Sequence, residues 1–293
     1  MANGLLQRLQ SEIIVLQGPM PTMLQNYGYE LDKCYPQWII EHPDVYQGIH
    51  RAYLDAGCDV VEASTGGTNR LRLKRFGLDD RAGEFTRKLL ELTREITPKG
   101  YPLEGVLALT GHYLAPAGDV TAEEFYEVYE EQVISLCEGG VDYFRVVEED
   151  IKVLEVMIEA IRAHSDLPIM AVMGFQSTPK GYRTLVGGDP ATNVRILERD
   201  GVVAVGLICG GTSLDDVTKV LEEMRRSCSL PLIAKPNAGI PQLIEGKAVH
   251  PVTPEQMAEA AKQWVAAGAR AIGGCCGTTP NHIARVAAAV KHA

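Results

Sequence analysis

Short apolar runs alternate with amphipathic stretches along the chain. Eight runs stand out, at residues 13–17, 59–65, 103–110, 143–148, 168–175, 204–209, 231–237 and 271–276. Their Val, Ile and Leu residues occupy consecutive positions, so both faces are expected to be buried, as in parallel strands covered by helices. Between them, residues 123–138, 151–164, 213–227 and 254–267 place apolar side chains at helical spacing. Gly57, Gly139, Gly201 and Gly268 each separate a helical pattern from the next run, where a left-handed cap is expected. Thr253-Pro254-Glu255-Gln256 has the form of a capping box with proline at the first helical position. Thr279-Pro280 opens the last helix in the same way. The aromatic stretch from Phe125 to Tyr129 is expected to be one face of an amphipathic helix.

Eight strands, each followed by helical pattern, predict an α/β chain folded as a (β/α)8 TIM barrel. No linker or low-complexity segment interrupts it, so residues 1–293 are expected to form one domain. A doubly wound sheet would carry a glycine fingerprint at its first turn, and Leu16-Gln17-Gly18-Pro19-Met20-Pro21 is not one. The longest irregular stretches, 19–43 and 177–189, both follow strands. In a barrel they would lie over the face where chemistry occurs, as lid or binding loops.

The net charge of −10, with no basic run, argues against a nucleic-acid partner. The first seventeen residues hold Glu12 and only a short apolar run, a poor secretory signal. No apolar stretch approaches the length of a membrane span. Seven cysteines, an odd number, favour a reducing compartment with free or metal-bound thiols. A cytoplasmic location is therefore expected. Homo-oligomerisation is left open.

Two of those cysteines are adjacent, in Gly273-Gly274-Cys275-Cys276-Gly277-Thr278-Thr279-Pro280. Neighbouring cysteines rarely pair with each other, because the small ring departs from normal disulfide geometry. At a bend after a strand their sulfurs can converge on one soft metal. Cys209 ends another apolar run, and a third thiolate would complete a zinc site with one open position. Such a site would keep a substrate thiol deprotonated yet nucleophilic at neutral pH. Cys34, Cys58, Cys137 and Cys228 are expected to be small core or surface thiols.

In a barrel the active face lies at the C-terminal strand ends. Gln17, Glu62, His112, Glu148, Cys209, Asn237, Cys275 and Cys276 fall at or just past those ends. Gly18 and Ser64 stand beside them. Gln17, Gly18, Glu62, Ser64, Glu148 and Asn237 are therefore candidates for binding substrate, with Glu62 and Glu148 as ammonium partners. His112 is expected to be a loop histidine, and no catalytic group is assigned beyond the metal site. Gly210-Gly211 is expected to mark a tight turn.

The segment from Gly273 to Ile283 resembles the signature of the homocysteine S-methyltransferase family, which includes betaine-dependent enzymes and the homocysteine module of cobalamin-dependent methionine synthase. The resemblance spans nearly the whole chain. Met20 to Gln25 resembles the opening motif, and Asn69-Arg70-Leu71-Arg72-Leu73 with Phe76-Gly77-Leu78 the second βα unit. Gly206-Leu207-Ile208-Cys209 resembles the strand of the first ligand, and Pro236-Asn237-Ala238-Gly239-Ile240-Pro241 the segment after strand seven. It implies a barrel with Zn²⁺ on Cys209, Cys275 and Cys276, a small-molecule thiol acceptor and a methyl donor. Three positions depart from the family pattern. Gln17 stands where the family has an acid, Glu62-Ala63-Ser64-Thr65-Gly66 replaces Glu-Thr-Asn-Thr-Phe, and Ile208 replaces Asn. The amino-acid clamp is thus partly missing, which makes methyl transfer a firmer expectation than homocysteine. Two other readings stay open. One is a component of a corrinoid-dependent pathway, with the corrinoid on a separate protein and another substrate. The other is a barrel whose zinc is structural.

Overall fold

The computed structural model describes residues 2–244 and 247–291. Its centre is an eight-stranded parallel sheet: β1 (Ile14–Val15), β2 (Val61–Glu62), β3 (Leu103–Ala108), β4 (Tyr143–Val147), β5 (Ile169–Met173), β6 (Ala204–Cys209), β7 (Leu232–Pro236) and β8 (Ala269–Ile272). Every strand lies within or overlaps one of the eight predicted runs. The hydrogen-bonded order is β1-β8-β7-β6-β5-β4-β3-β2. Sequence neighbours are thus spatial neighbours throughout, as a barrel requires. The seam between β1 and β2 has no ladder. Asp59 spans it instead, with its N–H donating to Val15 O at 2.7 Å and its carboxylate accepting from Val15 N at 2.7 Å.

Alternation along the strands separates two apolar layers. On β4, Tyr143 belongs to the cluster inside the barrel, with Met170, Val172, Ala204, Ile233 and Ala271. Phe144 and Val146 join the larger cluster between strands and helices. Helix Ala2–Ser11 precedes the barrel and adds Leu5 and Leu9 to the interior cluster. Both are 1% exposed, and each such burial stabilises by about 2 kcal/mol.

A helix follows each strand: α1 (Pro43–Asp55), α2 (Ala82–Ile96), α3 (Ala122–Glu138), α4 (Ile151–His164), α5 (Pro190–Arg199), α6 (Leu214–Arg225), α7 (Pro254–Ala266) and α8 (Pro280–Val290). The capping box at Thr253 is present, and Thr279 caps α8 with His282 as its partner. Phe125, Val128 and Tyr129 form the buried face of α3, as their spacing predicts. One cap differs from expectation. Gly139 stays right-handed at φ −71°, and Gly140 takes the left-handed position at φ 70°. Gly139 is needed for space, since a Cβ there would run into Leu90 of α2.

The two long loops carry structure of their own. The first contains a turn of helix at Pro21–Leu24 and the helix Tyr35–Glu41. The second holds an antiparallel hairpin, Gln176–Thr178 with Gly181–Arg183. A bridge from Gln176 to Gly211 ties that hairpin to the turn after β6. Among the described residues, no helix is long and apolar enough to cross a membrane.

Candidate metal centre

β6 ends in Cys209, where the chain leaves extended geometry. Cys209 has φ 53°, and among the described residues it alone of the non-glycines is left-handed. That conformation costs an L-residue roughly 1–2 kcal/mol. Gly210 follows at φ 78°, and a Cβ on it would meet the Phe175 carbonyl oxygen. The turn therefore requires glycine, and it leaves the Cys209 side chain packed on the barrel-interior cluster.

Beyond β8 the backbone keeps bonding to the end of β7 and the turn after it. Gly273 N donates to Ala234 O at 2.9 Å, Cys275 N to Pro236 O at 2.7 Å and Ala238 N to Cys276 O at 2.9 Å. Thr278 closes the turn, its hydroxyl donating to Cys275 O at 2.8 Å. These bonds hold the adjacent cysteines so that both sulfurs reach Cys209. The Sγ–Sγ separations are 2.6 Å for Cys209–Cys275, 3.8 Å for Cys209–Cys276 and 3.9 Å for Cys275–Cys276. The three sulfurs form the one compact set of metal-ligating groups among the described residues. Bonds from Cys209 and Cys275 hold the Cys276 sulfur ionised, down to about 3. Bonds with Cys209 and Cys276, together with burial, push Cys275 well up. Three sulfur donors within about 4 Å of one another are a ready site for a soft cation.

Cys209 and Cys275 also line a cavity of about 220 Å³. Glu62, Ser64 and Glu148, all anticipated from the sequence, share its wall with Tyr35, Arg72, Arg145, Ile208 and others. Burial pushes Glu148 up to about 7, against the backbone bonds that favour its charge. Its Oε1 accepts from Glu149 N at 2.7 Å. Gln17, Gly18 and Asn237 do not line this cavity. Gln17 helps close the barrel seam, accepting from Glu62 N at 3.2 Å. Gly18 lies against the Tyr53 ring, whose hydroxyl oxygen a Cβ would approach to 2.5 Å. Asn237 Nδ2 donates to Gly210 O at 3.1 Å, joining the turn after β7 to the Cys209 turn. His112 lines a separate cavity with Tyr35 and Arg72 and contacts Asp119 at 3.2 Å. His112 lies in the loop after β3.

Sequence reasoning missed the charged residues inside the barrel. Arg145 of β4 reaches Glu62 at 2.5 Å and Glu104 at 3.2 Å. Lys235 of β7 donates to the same Glu62 oxygen at 2.6 Å. Arg145, Glu104 and Lys235 are each 2% exposed. Burial by itself would raise Glu62, but Arg145 and Lys235 outweigh it and hold the carboxylate at about 2. Burial raises Glu104. The available signal was a charged residue at an inward position of an apolar run, as in Tyr143-Phe144-Arg145-Val146-Val147.

A sequence model of the homocysteine S-methyltransferase family matches residues 14–290. The chain belongs to that family. The family is the one that the segment from Gly273 to Ile283 resembles. It is 30% identical to a methionine synthase of Mycobacterium tuberculosis over 99% of its own length and 26% of that protein's. A methionine synthase of Mycobacterium leprae is 29% identical, with 98% and 25% covered. The chain thus spans about a quarter of the length of these relatives. Among solved structures, the metallated form of the homocysteine methyltransferase MmuM from Escherichia coli superposes with a TM-score of 0.79 at 25% identity, covering 97% of this chain and 98% of that one. A methyltransferase from Methanosarcina mazei shares the fold at 11% identity and a TM-score of 0.63, covering 98% and 97%.

Proposed function

We propose that the chain is a zinc-dependent thiol methyltransferase with Zn²⁺ on Cys209, Cys275 and Cys276. The observation that carries this reading is the meeting of three sulfurs from two strand ends at the wall of a cavity. Zinc–sulfur bonds of about 2.3 Å in a tetrahedron give sulfur–sulfur edges of about 3.8 Å. The separations of 3.8 and 3.9 Å from Cys276 fit that figure. The 2.6 Å pair must open, with Cys209 and Cys275 moving apart. The strained backbone at Cys209 and the adjoining Gly210 supply a turn that can adjust.

Bound zinc would supply a Lewis acid that keeps the acceptor sulfur as a thiolate. The chain's own residues do the rest. Cys209 and Cys275 present the centre to the cavity, so an acceptor can approach from one side. Ile208 and Val147 make that wall apolar, which excludes water from the sulfur. Methyl transfer then forms a carbon–sulfur bond and breaks the donor's bond to the same methyl carbon.

Homocysteine is the acceptor the family suggests. Ser64 and Glu148 are at hand to bind its amino-acid end, while Gln17 and Ile208 weaken the clamp. The methyl donor is assigned to a second molecule. Metal analysis with a thiol-acceptor screen against methylcobalamin, S-methylmethionine, S-adenosylmethionine and betaine tests the reading. Reduced protein should hold about one zinc per chain, and Cys276→Ala should lose most of it while the barrel stays folded. Full zinc occupancy in Cys276→Ala would remove that residue from the ligand set.

A further inference from the structure

A second cavity, of about 280 Å³, adjoins the one at the sulfur cluster. Three connections on the active face build it. The loop after β1 contributes Lys33 and Tyr35, the segment after β2 contributes Arg72 and Arg75, and the loop after β3 contributes His112. Lys33, Arg72 and Arg75 are all exposed, and no carboxylate is among the lining residues. The whole chain has 38 acidic residues against 28 Lys and Arg, so a wall with three cations and no acid runs against the average of this surface.

The acids nearby are placed elsewhere. Glu30, Asp32 and Glu41 line a separate hollow, which Lys33 also borders. Asp119 stays outside the lining and contacts His112 at 3.2 Å. The ion pairs of this region belong to neighbouring residues, Arg70 with Glu127 at 3.0 Å and Arg81 with Glu84 at 2.6 Å; among the described residues Lys33, Arg72 and Arg75 form none. The wall is nevertheless held in place. Arg72 Nη1 donates to Leu109 O at 3.1 Å, tying the helix Arg70–Lys74 to the end of β3. The Tyr29 hydroxyl donates to Lys33 O at 3.0 Å. The Arg75 guanidinium carbon lies 5.7 Å from the centroid of the Phe76 ring, which lines the cavity too.

Tyr35 and Arg72 line both cavities and so form the partition between them. Tyr35 is fixed there. Its hydroxyl donates to Ser64 O at 3.0 Å, and Gly67 leaves room for its ring, which a Cβ would strike.

We propose that this second cavity binds the phosphate group of a small ligand, held by Lys33, Arg72 and Arg75. Three cations around one hollow exceed what a single carboxylate would neutralise. A phosphomonoester carries about −1.5 to −2 at pH 7 and offers three acceptor oxygens, and a guanidinium can take two of them at once. Tyr29 and Phe76 give the carbon skeleton beside the phosphate an aromatic surface. A ligand seated here lies next to whatever occupies the sulfur-lined cavity, with only Tyr35 and Arg72 between them. The site does not depend on the metal reading, and neither does its test.

The test is calorimetric binding at pH 7.5 with three probes of similar shape: phenyl phosphate, phenyl sulfate with a single charge, and neutral benzenesulfonamide. Phenyl phosphate should bind about fivefold or more tighter than phenyl sulfate, and benzenesulfonamide weakest. Raising the salt from about 0.05 to 0.5 M should weaken phenyl phosphate severalfold. Lys33→Met with Arg75→Met should weaken it about tenfold or more. Both side chains are exposed, so the fold should survive the change, and the ranking on the parent protein decides independently of it. Cys276→Ala should bind phenyl phosphate as the parent does. Benzenesulfonamide binding as tightly as phenyl phosphate would overturn the proposal, as would undiminished binding in the double variant. Binding lost in Cys276→Ala would put the phosphate on the metal instead, which sinks this site and leaves the metal reading standing.

Discussion

Glu62→Gln removes one charge and strands two. In the folded protein the Glu62 carboxylate is drawn from 4.5 to about 2 by Arg145 and Lys235, against the effect of burial. At about 1.4 kcal/mol per tenfold in proton affinity, that depression is worth about 3 kcal/mol of stability at neutral pH. Removing one partner of a buried ionic set costs about 3–5 kcal/mol, because the remaining charges lose their counterpart. Here the stranded side chains, Arg145 and Lys235, are only 2% and 3% exposed. Urea unfolding of the metal-free protein at pH 7 should therefore show Glu62→Gln less stable by about 3 kcal/mol or more. Adding Lys235→Met removes one stranded cation. The double variant should recover part of the loss and show a coupling of about 1–3 kcal/mol. The pH dependence has a definite sign. A depressed carboxylate stabilises above its unfolded value of 4.5 and loses that contribution as pH falls toward about 2. The gap between parent and Glu62→Gln should thus stay constant from pH 5 to 8 and narrow below pH 4. A loss under about 1 kcal/mol for Glu62→Gln, or strict additivity with Lys235→Met, would refute the reasoning.

Glu148 is the opposite case. Its folded value is raised to about 7, so its contribution is fully present below 4.5 and is lost as pH rises through 7. Glu148→Gln should be nearly neutral at pH 4 and more stable than the parent by about 2–3 kcal/mol at pH 8, read from paired urea titrations. An unchanged difference across that range would place the carboxyl in water. Gly18→Ala should destabilise by about 1–3 kcal/mol, because its Cβ meets the Tyr53 ring atoms at 2.5–2.8 Å. Tyr53→Leu in the same chain should recover part of that loss, and thermal unfolding would show it. A harmless Gly18→Ala would mean the ring can move aside.

Much of the architecture was legible in the chain. Runs such as 169–173 are apolar on both faces because a barrel strand has packed side chains on each, and that pattern needs no tertiary knowledge. The cap at Thr253 is local, since its side chain bonds a backbone group three residues on. The adjacent cysteines were legible for the same reason, as were Glu62 and Glu148 at strand ends. The exchange of roles between Gly139 and Gly140 was not, because it depends on how closely Leu90 of a neighbouring helix approaches.

The metal cluster shows where local pattern stops. Cys275 and Cys276 are neighbours in the chain, but Cys209 joins them only because β6 and β8 flank β7 in the closed sheet. Gln17, Gly18 and Asn237 were placed at the correct strand ends, yet their side chains or backbone meet the seam, Tyr53 and Gly210 rather than the cavity. The ionic set of Glu62, Glu104, Arg145 and Lys235 comes from four different strands. Strand pattern says that a residue points inward. It does not say which inward residues of other strands it will meet, because that depends on register and on closure of the barrel. Hydrophobic period and capping act over a few residues and are written in the chain. The charge lining this cavity is a property of strands far apart in sequence, brought together only when the barrel closes.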